Sequence, residues 1–166
     1  MLINQKLLFS KIQCDSIISY LKKNNKYWNA NDRKYTSELI IYSAETDWIF
    51  CKLKSYFESI TNLSLVNIKK EIHFHKYKEG DWFDKHTDVR DNRLYAIGVI
   101  LNDDFNGGEF KLYNPNEITL NKIAGNCYIF DVRIEHEITP IFKGERYSLL
   151  WFLQNQHIKI PTNKLI

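Results

Sequence analysis

Residues 77–88 read Tyr-Lys-Glu-Gly-Asp-Trp-Phe-Asp-Lys-His-Thr-Asp and end in a pattern that is typical of a metal site. His86 and Asp88 lie two positions apart. Successive side chains of a β-strand point to opposite faces, so these two residues project the same way and only Thr87 points away. An imidazole and a carboxylate on one face of a strand can bind one metal ion together.

His136 is the candidate for a second imidazole, 48 residues after Asp88. Two neutral imidazoles and one carboxylate on one face of a metal, with the other coordination positions open, form the facial triad of non-haem Fe(II) oxygenases. A lone His-x-Asp pair arises by chance in many chains and usually means two solvated side chains. The pair therefore needs support from elsewhere in the sequence.

Arg146 supplies that support, because it lies ten residues after His136 in Gly-Glu-Arg-Tyr-Ser. A guanidinium is always charged and forms two parallel hydrogen bonds with a carboxylate. It suits the far end of a dicarboxylate whose near end chelates the metal, and 2-oxoglutarate is such a molecule. The apolar run from Tyr147 to Leu153 predicts a buried strand, so we expect Arg146 at the mouth of a core and not on a surface turn.

Three motifs occur together in this chain: Tyr77-x-x-Gly80-x-x-Phe83-x-x-His86-x-Asp88, Asn106-Gly107-Gly108-Glu109, and His136 with Arg146 at plus ten. Together they resemble the prolyl 4-hydroxylase-like branch of the Fe(II)/2-oxoglutarate dioxygenases. Residues 8–15, followed by an apolar helix, are similar to that family's opening segment. The arginine ten residues after His136 is similar to the one found in bacterial hydroxylases, whereas the collagen-type enzymes have lysine at that position.

The resemblance implies a mainly β fold with N-terminal helices and a double-stranded β-helix core of the jelly-roll, cupin-like kind. It implies that His86, Asp88 and His136 are catalytic residues that bind Fe(II). It also implies that Arg146 binds 2-oxoglutarate, that O2 is consumed, and that ascorbate supports the reaction. Tyr77 has two interpretations, a core aromatic or a hydroxyl that reaches 2-oxoglutarate as the matching family tyrosine does. A buried phenol without a partner favours the second.

The implied reaction is hydroxylation of an unactivated C–H bond, with release of succinate and CO2. Asp88 favours hydroxylation, since related halogenases lack this carboxylate to make room for chloride. The substrate is an amino acid, a peptide such as a prolyl peptide, or a small metabolite. The sequence does not choose among these, nor does it predict an oligomeric state.

Composition indicates an ordinary globular protein. The chain is 19.9 kDa, 44% hydrophobic and 26% charged, and it is long enough to bury its own core. We expect a single domain over residues 1–166, with 1–64 as a helical support region and 65–156 as the jelly-roll core. A net charge of +3 without a basic cluster argues against a nucleic-acid partner.

The cysteines and the N-terminus predict a cytoplasmic protein. Cys14, Cys51 and Cys127 are far apart and form no Cys-x-x-Cys motif, so neither a disulfide framework nor a zinc knuckle is indicated. The N-terminus lacks a basic-then-apolar signal pattern, and no apolar run approaches the length of a membrane span. A reducing compartment also suits Fe(II).

Periodicity predicts two helices followed by many short strands. Residues 10–23 form an amphipathic helix that Ser10 caps, and a second helix runs from Thr46 to about Ile60. Both should pack on the outside of a sheet. Residues 26–35 predict a loop, and 38–42 a short strand. After residue 65, turns separate some eight short strands, which suggests a jelly roll. We interpret Gly107-Gly108 as a hairpin turn.

A rival metal site lies in the same region. His73-x-His75 followed by Glu79 matches the first ligand spacing of the cupins, and His136 would be their last histidine. However, the flanking glycines of the cupins are missing, and Arg146 has no role in that site. A non-catalytic jelly-roll binding module is a further alternative. Five other residues are candidates for a substrate entrance or for simple packing: Trp82, Arg90, Arg93, Tyr95 and Trp151.

Overall fold

The computed structural model describes residues 3–23, 36–41, 43–68 and 71–160. The helices in these ranges are α1 (Lys11–Lys23) and α2 (Asp47–Thr61), and a short 3-10 helix covers Asn155–His157. The strands are β1 (Ile3–Leu7), β2 (Thr36–Ile41), β3 (Ser64–Leu65), β4 (Glu71–Tyr77), β5 (Phe83–His86), β6 (Arg93–Ile100), β7 (Asn106–Gly107), β8 (Phe110–Tyr113), β9 (Glu117–Thr119), β10 (Asn126–Asp131), β11 (Glu135–Ile138), β12 (Ile141–Lys143), β13 (Arg146–Gln154) and β14 (Ile158–Lys159). The prediction of a mainly β protein with N-terminal helices is confirmed.

Two antiparallel sheets form the body of the protein. The larger has six strands in the order β1-β10-β6-β13-β4-β2, and the smaller has four in the order β5-β11-β8-β9. Two further pairs, β12-β7 and β14-β3, complete the set. The edge strands β1 and β2 both come from the N-terminal region, which was expected to be helical support. That region therefore also closes the two edges of the larger sheet.

The two helices cover the outer face of the larger sheet, as predicted. Apolar residues of α1 and α2 form one cluster with alternate residues of the sheet strands. The buried members include Ile17, Leu21, Ile49, Leu53 and Phe57 from the helices and Phe74, Ile97, Val99, Leu149 and Trp151 from the strands. Burial of this much apolar surface is the main force that holds the helices on the sheet.

The two helices begin in different ways. Ser10 caps α1 as predicted, because its Oγ accepts a hydrogen bond from the Gln13 amide at 3.2 Å while the Ser10 amide donates to Gln13 Oε1 at 3.0 Å. Thr46 lies at the start of α2, but its side chain makes no bond to a helix amide. Its Oγ1 accepts from the Ser43 amide at 2.9 Å instead, which fixes the turn before the helix.

A second core lies between the two sheets. On β6, Ala96 and Ile100 point into this core, whereas Ile97 and Val99 point toward the helices. This alternation is the two-residue period of a strand that is buried on both faces. The smaller sheet contributes Phe110, Leu112 and Ile138 to the same core. The functional side chains described below lie in this layer.

Gly107 and Gly108 do not form the predicted hairpin turn. β7 pairs with β12, whereas β8 pairs with β9 and β11, so the strands on either side of the glycines belong to different sheets. Both glycines have positive φ, 74° and 62°. A side chain at Gly108 would also meet Ile141 Cδ1 at 2.2 Å. The pair therefore forms a corner at which the chain changes sheets.

The loop expected over 26–35 lies outside the described residues. Neither α1 nor α2 has the length and apolar character that a membrane crossing needs.

The packing of α2 on the sheet generates a prediction about stability. Leu53 is fully buried and Leu7 is 64% exposed. Leu53→Ala should lower the free energy of unfolding by about 2–5 kcal/mol, because a cavity is left in the core. The same substitution at Leu7 should change it by less than about 0.5 kcal/mol. Urea denaturation of the two variants measures both values, and equal effects would contradict the described packing.

Candidate metal centre

The candidate ligands come from two paired strands of the smaller sheet. β5 and β11 run antiparallel, and His86 lies directly opposite His136 in their register. Asp88 follows two residues after the end of β5, where its amide donates to the carbonyl of Val132 at 3.0 Å. Strand pairing and this single backbone hydrogen bond therefore bring His136 to His86 and Asp88, although it lies 48 residues after Asp88 in the chain.

The three side chains converge on one point. Asp88 lies between the imidazoles, with Oδ2 3.3 Å from His136 Nε2 and Oδ1 3.7 Å from His86 Nε2. All three ligand atoms fall within 4.8 Å of one another. Across residues 3–23, 36–41, 43–68 and 71–160, no other group of three His, Cys, Asp or Glu side chains has this geometry.

Each imidazole is oriented by a carbonyl two residues earlier in its own segment. His86 Nδ1 lies 2.7 Å from the carbonyl oxygen of Asp84, and His136 Nδ1 lies 3.0 Å from that of Ile134. A carbonyl oxygen only accepts, so each Nδ1 carries the hydrogen and donates it. In this tautomer each ring presents the lone pair of Nε2 toward Asp88. Such anchoring of the second nitrogen is typical of metal-binding histidines.

The contact between these atoms requires a positive charge. Asp88 Oδ2 is buried and has no hydrogen-bond partner among the described residues. Burial alone would raise the pKa of Asp88, but when His136 and His86 carry a proton on Nε2, their hydrogen bonds and positive charge outweigh burial and hold the pKa well below its usual range. Imidazole lone pairs and a carboxylate that face each other repel unless a proton or a cation lies among them. A divalent metal ion fits this donor set.

The separations also suit a metal. Two ligands that lie about 2.1 Å from an octahedral ion and at right angles to each other are about 3 Å apart. The 3.3 and 3.7 Å contacts of Asp88 are close to this value. His136 is almost fully buried, while His86 and Asp88 line a cavity, so one side of the cluster faces open space.

Arg146 lies at the start of β13, in register with Tyr77 of β4. It is 1% exposed, and its Nη1 donates to Ser148 Oγ at 2.8 Å. Its Nε and Nη2 have no partner within the part of the chain that is described. A buried guanidinium with two free donors is costly unless an anion completes it. Arg146 is therefore not at the mouth of the core, where the apolar run after it predicts it, but fully inside.

Aromatic rings enclose this arginine. Its guanidinium carbon lies 5.3 Å from the centroid of the Tyr77 ring, and Tyr77 is itself 1% exposed. Burial raises the pKa of Tyr128 to about 12, while the positive charge of Arg146 acts in the opposite direction. Tyr128 thus stays a neutral hydroxyl near the arginine. No sequence signal pointed to Tyr128, because its position near Arg146 depends on the pairing of β10 with β6.

One cavity of about 670 Å³ connects these groups. The lining residues come from both sheets and include the ligands His86, Asp88 and His136, the tyrosines Tyr77 and Tyr128, and Ser148, Leu150 and Phe152 of β13. Ser148, Leu150 and Phe152 alternate on the inner face of β13, as strand geometry requires. The cavity therefore reaches both the cluster of His86, Asp88 and His136 and the serine that contacts Arg146.

The rival cupin site is not assembled. His73 and His75 lie on the inner face of β4 and line the cavity, but Glu79 is exposed in a turn beside Gly80. The ring of His73 packs edge-on against Phe152 at 5.6 Å. Burial lowers the pKa of His73, and nearby Arg93 and Arg90 lower it further. The two histidines are therefore cavity walls, and Glu79 is too far along the turn to join them.

The candidate entrance residues divide into two groups. Arg90 and Arg93 line the cavity. Trp151 and Tyr95 point toward the helices, where they pack against Phe50 at 5.7 Å and Phe57 at 5.5 Å. The Trp82 indole donates to Asp84 at 2.9 Å on the outside of the turn. Arg93 and Tyr95 have the same parity on β6, but the register of β6 with β13 shifts between them, so they face different ways. This irregularity was not visible in the sequence.

Comparison with known proteins adds a family model described as the 2OG-Fe(II) oxygenase superfamily, which matches residues 72–154. That range contains all five candidate site residues. No significant match was found among curated proteins.

Several solved structures share the fold. The chain is similar to a prolyl-4-hydroxylase from Pseudomonas putida, with a TM-score of 0.75, 18% identity, and 92% of each chain covered. It is also similar to a prolyl hydroxylase from Trichoplax adhaerens in complex with a hypoxia inducible factor peptide fragment, with a TM-score of 0.72, 19% identity, and 94% of this chain and 84% of that one covered. The chain is similar as well to a viral collagen prolyl hydroxylase from Paramecium Bursaria Chlorella virus-1, with a TM-score of 0.71 and 18% identity. That match covers 90% of this chain and 93% of the viral one. The predicted double-stranded β-helix core is confirmed.

The geometry of the cluster predicts the effect of single substitutions on metal binding. His86→Ala and His136→Ala should each weaken binding of Mn(II) or Fe(II) by more than about 100-fold, since each removes one of the three candidate ligands. Isothermal titration without oxygen measures the affinity.

His73→Ala is the matched control, because it removes an imidazole from the same cavity but not from the cluster. Its metal affinity should stay within about threefold of the wild type. A large loss in His73→Ala and none in His86→Ala would favour the cupin arrangement instead.

Proposed function

Because the chain belongs to the 2OG-Fe(II) oxygenase superfamily, we propose that its cavity uses Fe(II), 2-oxoglutarate and O2 to hydroxylate an unactivated C–H bond of an amino acid, a peptide or a small metabolite. Membership makes the chain a 2-oxoglutarate-dependent oxygenase. The hydroxylation outcome, the substrate and the roles of individual residues are the proposal. The observation that carries it is the cluster of His86, Asp88 and His136 in a cavity that also reaches Ser148, the hydrogen-bond partner of a buried, incompletely paired arginine.

His86, Asp88 and His136 hold Fe(II) in this proposal. Support comes from the orientation of both Nε2 lone pairs, from the unpartnered Asp88 Oδ2 and from the separations of 3.3 and 3.7 Å. Three ligands on one side leave the cavity side of the ion for 2-oxoglutarate and O2. When bound, the metal couples splitting of 2-oxoglutarate to succinate and CO2 with reduction of O2 and oxidation of the substrate.

Arg146 binds the distal carboxylate of 2-oxoglutarate. Its Nη1 is already occupied by Ser148, which fixes the plane of the guanidinium and leaves Nε and Nη2 to donate. Two adjacent donors in one plane match the two oxygens of a carboxylate. Tyr77 lies across from the arginine and contributes its hydroxyl to the same carboxylate.

The remaining residues exclude water and orient the substrate. Phe83, Ile138, Leu150 and Phe152 give the cavity apolar walls next to the polar cluster. A dry site strengthens the electrostatic interactions inside it and protects reactive species from side reactions. Prolyl peptides are one candidate substrate class, supported by the names of the structural neighbours. Free amino acids and small metabolites are equally compatible with a cavity of about 670 Å³.

An anaerobic titration tests the proposed function. Fe(II) and 2-oxoglutarate added to the metal-free wild type without oxygen should give the weak visible absorption band of a keto acid chelated to iron. The band should be absent in His86→Ala and present in His73→Ala. Tight metal binding without a band in the wild type would mean that 2-oxoglutarate does not chelate the ion, and the proposal would fail.

Arg146 generates a second prediction. Arg146→Met keeps much of the side-chain volume but removes the charge, so the apparent KM for 2-oxoglutarate should rise by about 10- to 100-fold. Arg146→Lys should recover part of this loss, because the charge survives but the planar fork does not. Succinate release at varied 2-oxoglutarate measures the effect, and an equal change in the KM for substrate would count against the assignment.

A further inference from the structure

The cavity has a second cationic end. Arg93 is the first residue of β6, and Arg90 lies three residues earlier in a turn closed by a hydrogen bond from the Arg93 amide to the Arg90 carbonyl at 3.0 Å. Both side chains line the same cavity as the metal cluster, next to His73. The activity proposed above gives no role to either of them.

Arg93 is held in place but lacks a counter-charge. Its guanidinium carbon lies 3.6 Å from the centroid of the Phe152 ring, a cation–π contact that fixes the plane of the group. It makes no ion pair with any described residue. Arg90 pairs with Asp91 at 3.5 Å, but both side chains are mostly exposed, 59% and 66%, so this pair contributes little. Burial lowers the pKa of Arg93, and repulsion from Arg90 lowers it further.

The second end is well separated from Arg146. Ser148, which bonds Arg146, and Phe152, which stacks under Arg93, lie on the same inner face of β13. The Arg146 guanidinium lies beside Ser148, and the rise of about 3.3 Å per residue along a strand puts positions 148 and 152 about 13 Å apart. A single 2-oxoglutarate molecule is too short to reach from one arginine to the other. Arg93 therefore does not take part in binding the distal carboxylate that Arg146 is proposed to hold.

Charge balance leads to the same conclusion. Fe(II), the Asp88 carboxylate, the 2-oxoglutarate dianion and Arg146 together have no net charge. Arg93 and Arg90 are then left with two positive charges and only the exposed Asp91 nearby. Partly buried charges that lack a partner are costly and usually mark the place of a charged ligand.

We propose that Arg93 and Arg90 bind an acidic group of the substrate, a carboxylate or a phosphate, and so make the substrate a small organic acid or an acid-ended peptide. This inference rests on the proposed function. The apolar part of such a substrate lies along Phe152 and Leu150, and its other end points toward the metal cluster. Arginine suits this role because its planar fork binds both carboxylate and phosphate groups through paired hydrogen bonds.

Anion binding tests the proposal without knowledge of the substrate. The protein is loaded with Zn(II), which is diamagnetic and inert to oxygen, and with 2-oxoglutarate. Its arginine Nε–H signals are followed by NMR during titration with benzoate, phenyl phosphate or neutral benzamide. Arg93→Gln identifies the Arg93 signal by its loss. Benzoate, phenyl phosphate or both should shift the Arg93 signal until it saturates. The anion with the lower dissociation constant then shows whether the site prefers a carboxylate or a phosphate.

Two variants sharpen the result. In Arg93→Gln the dissociation constant of the anion, followed through the Arg90 signal, should rise at least about tenfold. Arg133→Gln is the matched control, because Arg133 is an exposed arginine paired with Asp131 and lies outside the cavity lining. It should bind the anion like the wild type. The proposal is wrong if neither anion shifts the Arg93 signal, or if benzamide shifts it equally.

Turnover provides a functional test with free amino acids and their amides as matched pairs. Any acid that stimulates succinate release should do so at least about tenfold more than its amide, and Arg93→Gln should abolish that preference. An amide as effective as its acid would overturn the proposal. The anaerobic absorption band separates the two levels of inference: its absence in the wild type refutes the proposed function, whereas its presence without anion binding to Arg93 refutes only this inference.

Discussion

The contact of one carboxylate with two imidazole lone pairs is the constraint on which the rest of the site depends. Asp88 Oδ2 is buried and lies 3.3 Å from His136 Nε2, while the other nitrogen of that ring, Nδ1, donates its hydrogen to the Ile134 carbonyl. In the absence of a cation this arrangement is repulsive, so the fold must hold it together against that repulsion. It does so through the pairing of β5 with β11 and through the hydrogen bond from the Asp88 amide to the Val132 carbonyl.

The larger sheet supplies the rigidity that this arrangement needs. Its central strands β6, β10 and β13 are largely buried on both faces, with the helices on one side and the second core and cavity on the other. β13 contributes to both layers, because Trp151 packs toward the helices while Ser148, Leu150 and Phe152 face the cavity. The strand that carries Arg146 is thus also fixed by the core on both of its faces. Functional groups are best positioned on such elements, since loops allow larger displacements.

Local patterns in the sequence were enough to predict the candidate site residues. The strand order of the fold could not be predicted in this way, because it depends on pairing between distant residues. The spacing of His86 and Asp88, the apolar run after Arg146 and the capping of α1 by Ser10 are all short-range signals, and each was visible in the sequence. The edge strand β1 was not, because residues 3–7 are largely exposed and owe their conformation to pairing with β10. The corner at Gly107-Gly108 and the divergence of Glu79 from His73 depend on which strands pair. Those pairings are set by contacts between residues that are distant in the chain.

The anchoring of both imidazoles to their own strands links the metal to local opening of the sheet. β5 is an edge strand of four residues, and its pairing with β11 contains an irregularity between His136 and Ile138. Short edge strands with few ladder bonds are among the first parts of a protein to exchange their amide hydrogens. An ion held jointly by His86, Asp88 and His136 would act as a cross-link between β5 and β11, and binding only to the closed form would suppress that opening by mass action. Iron availability would then set how long this edge of the protein stays closed, and with it the protein's lifetime against proteolysis.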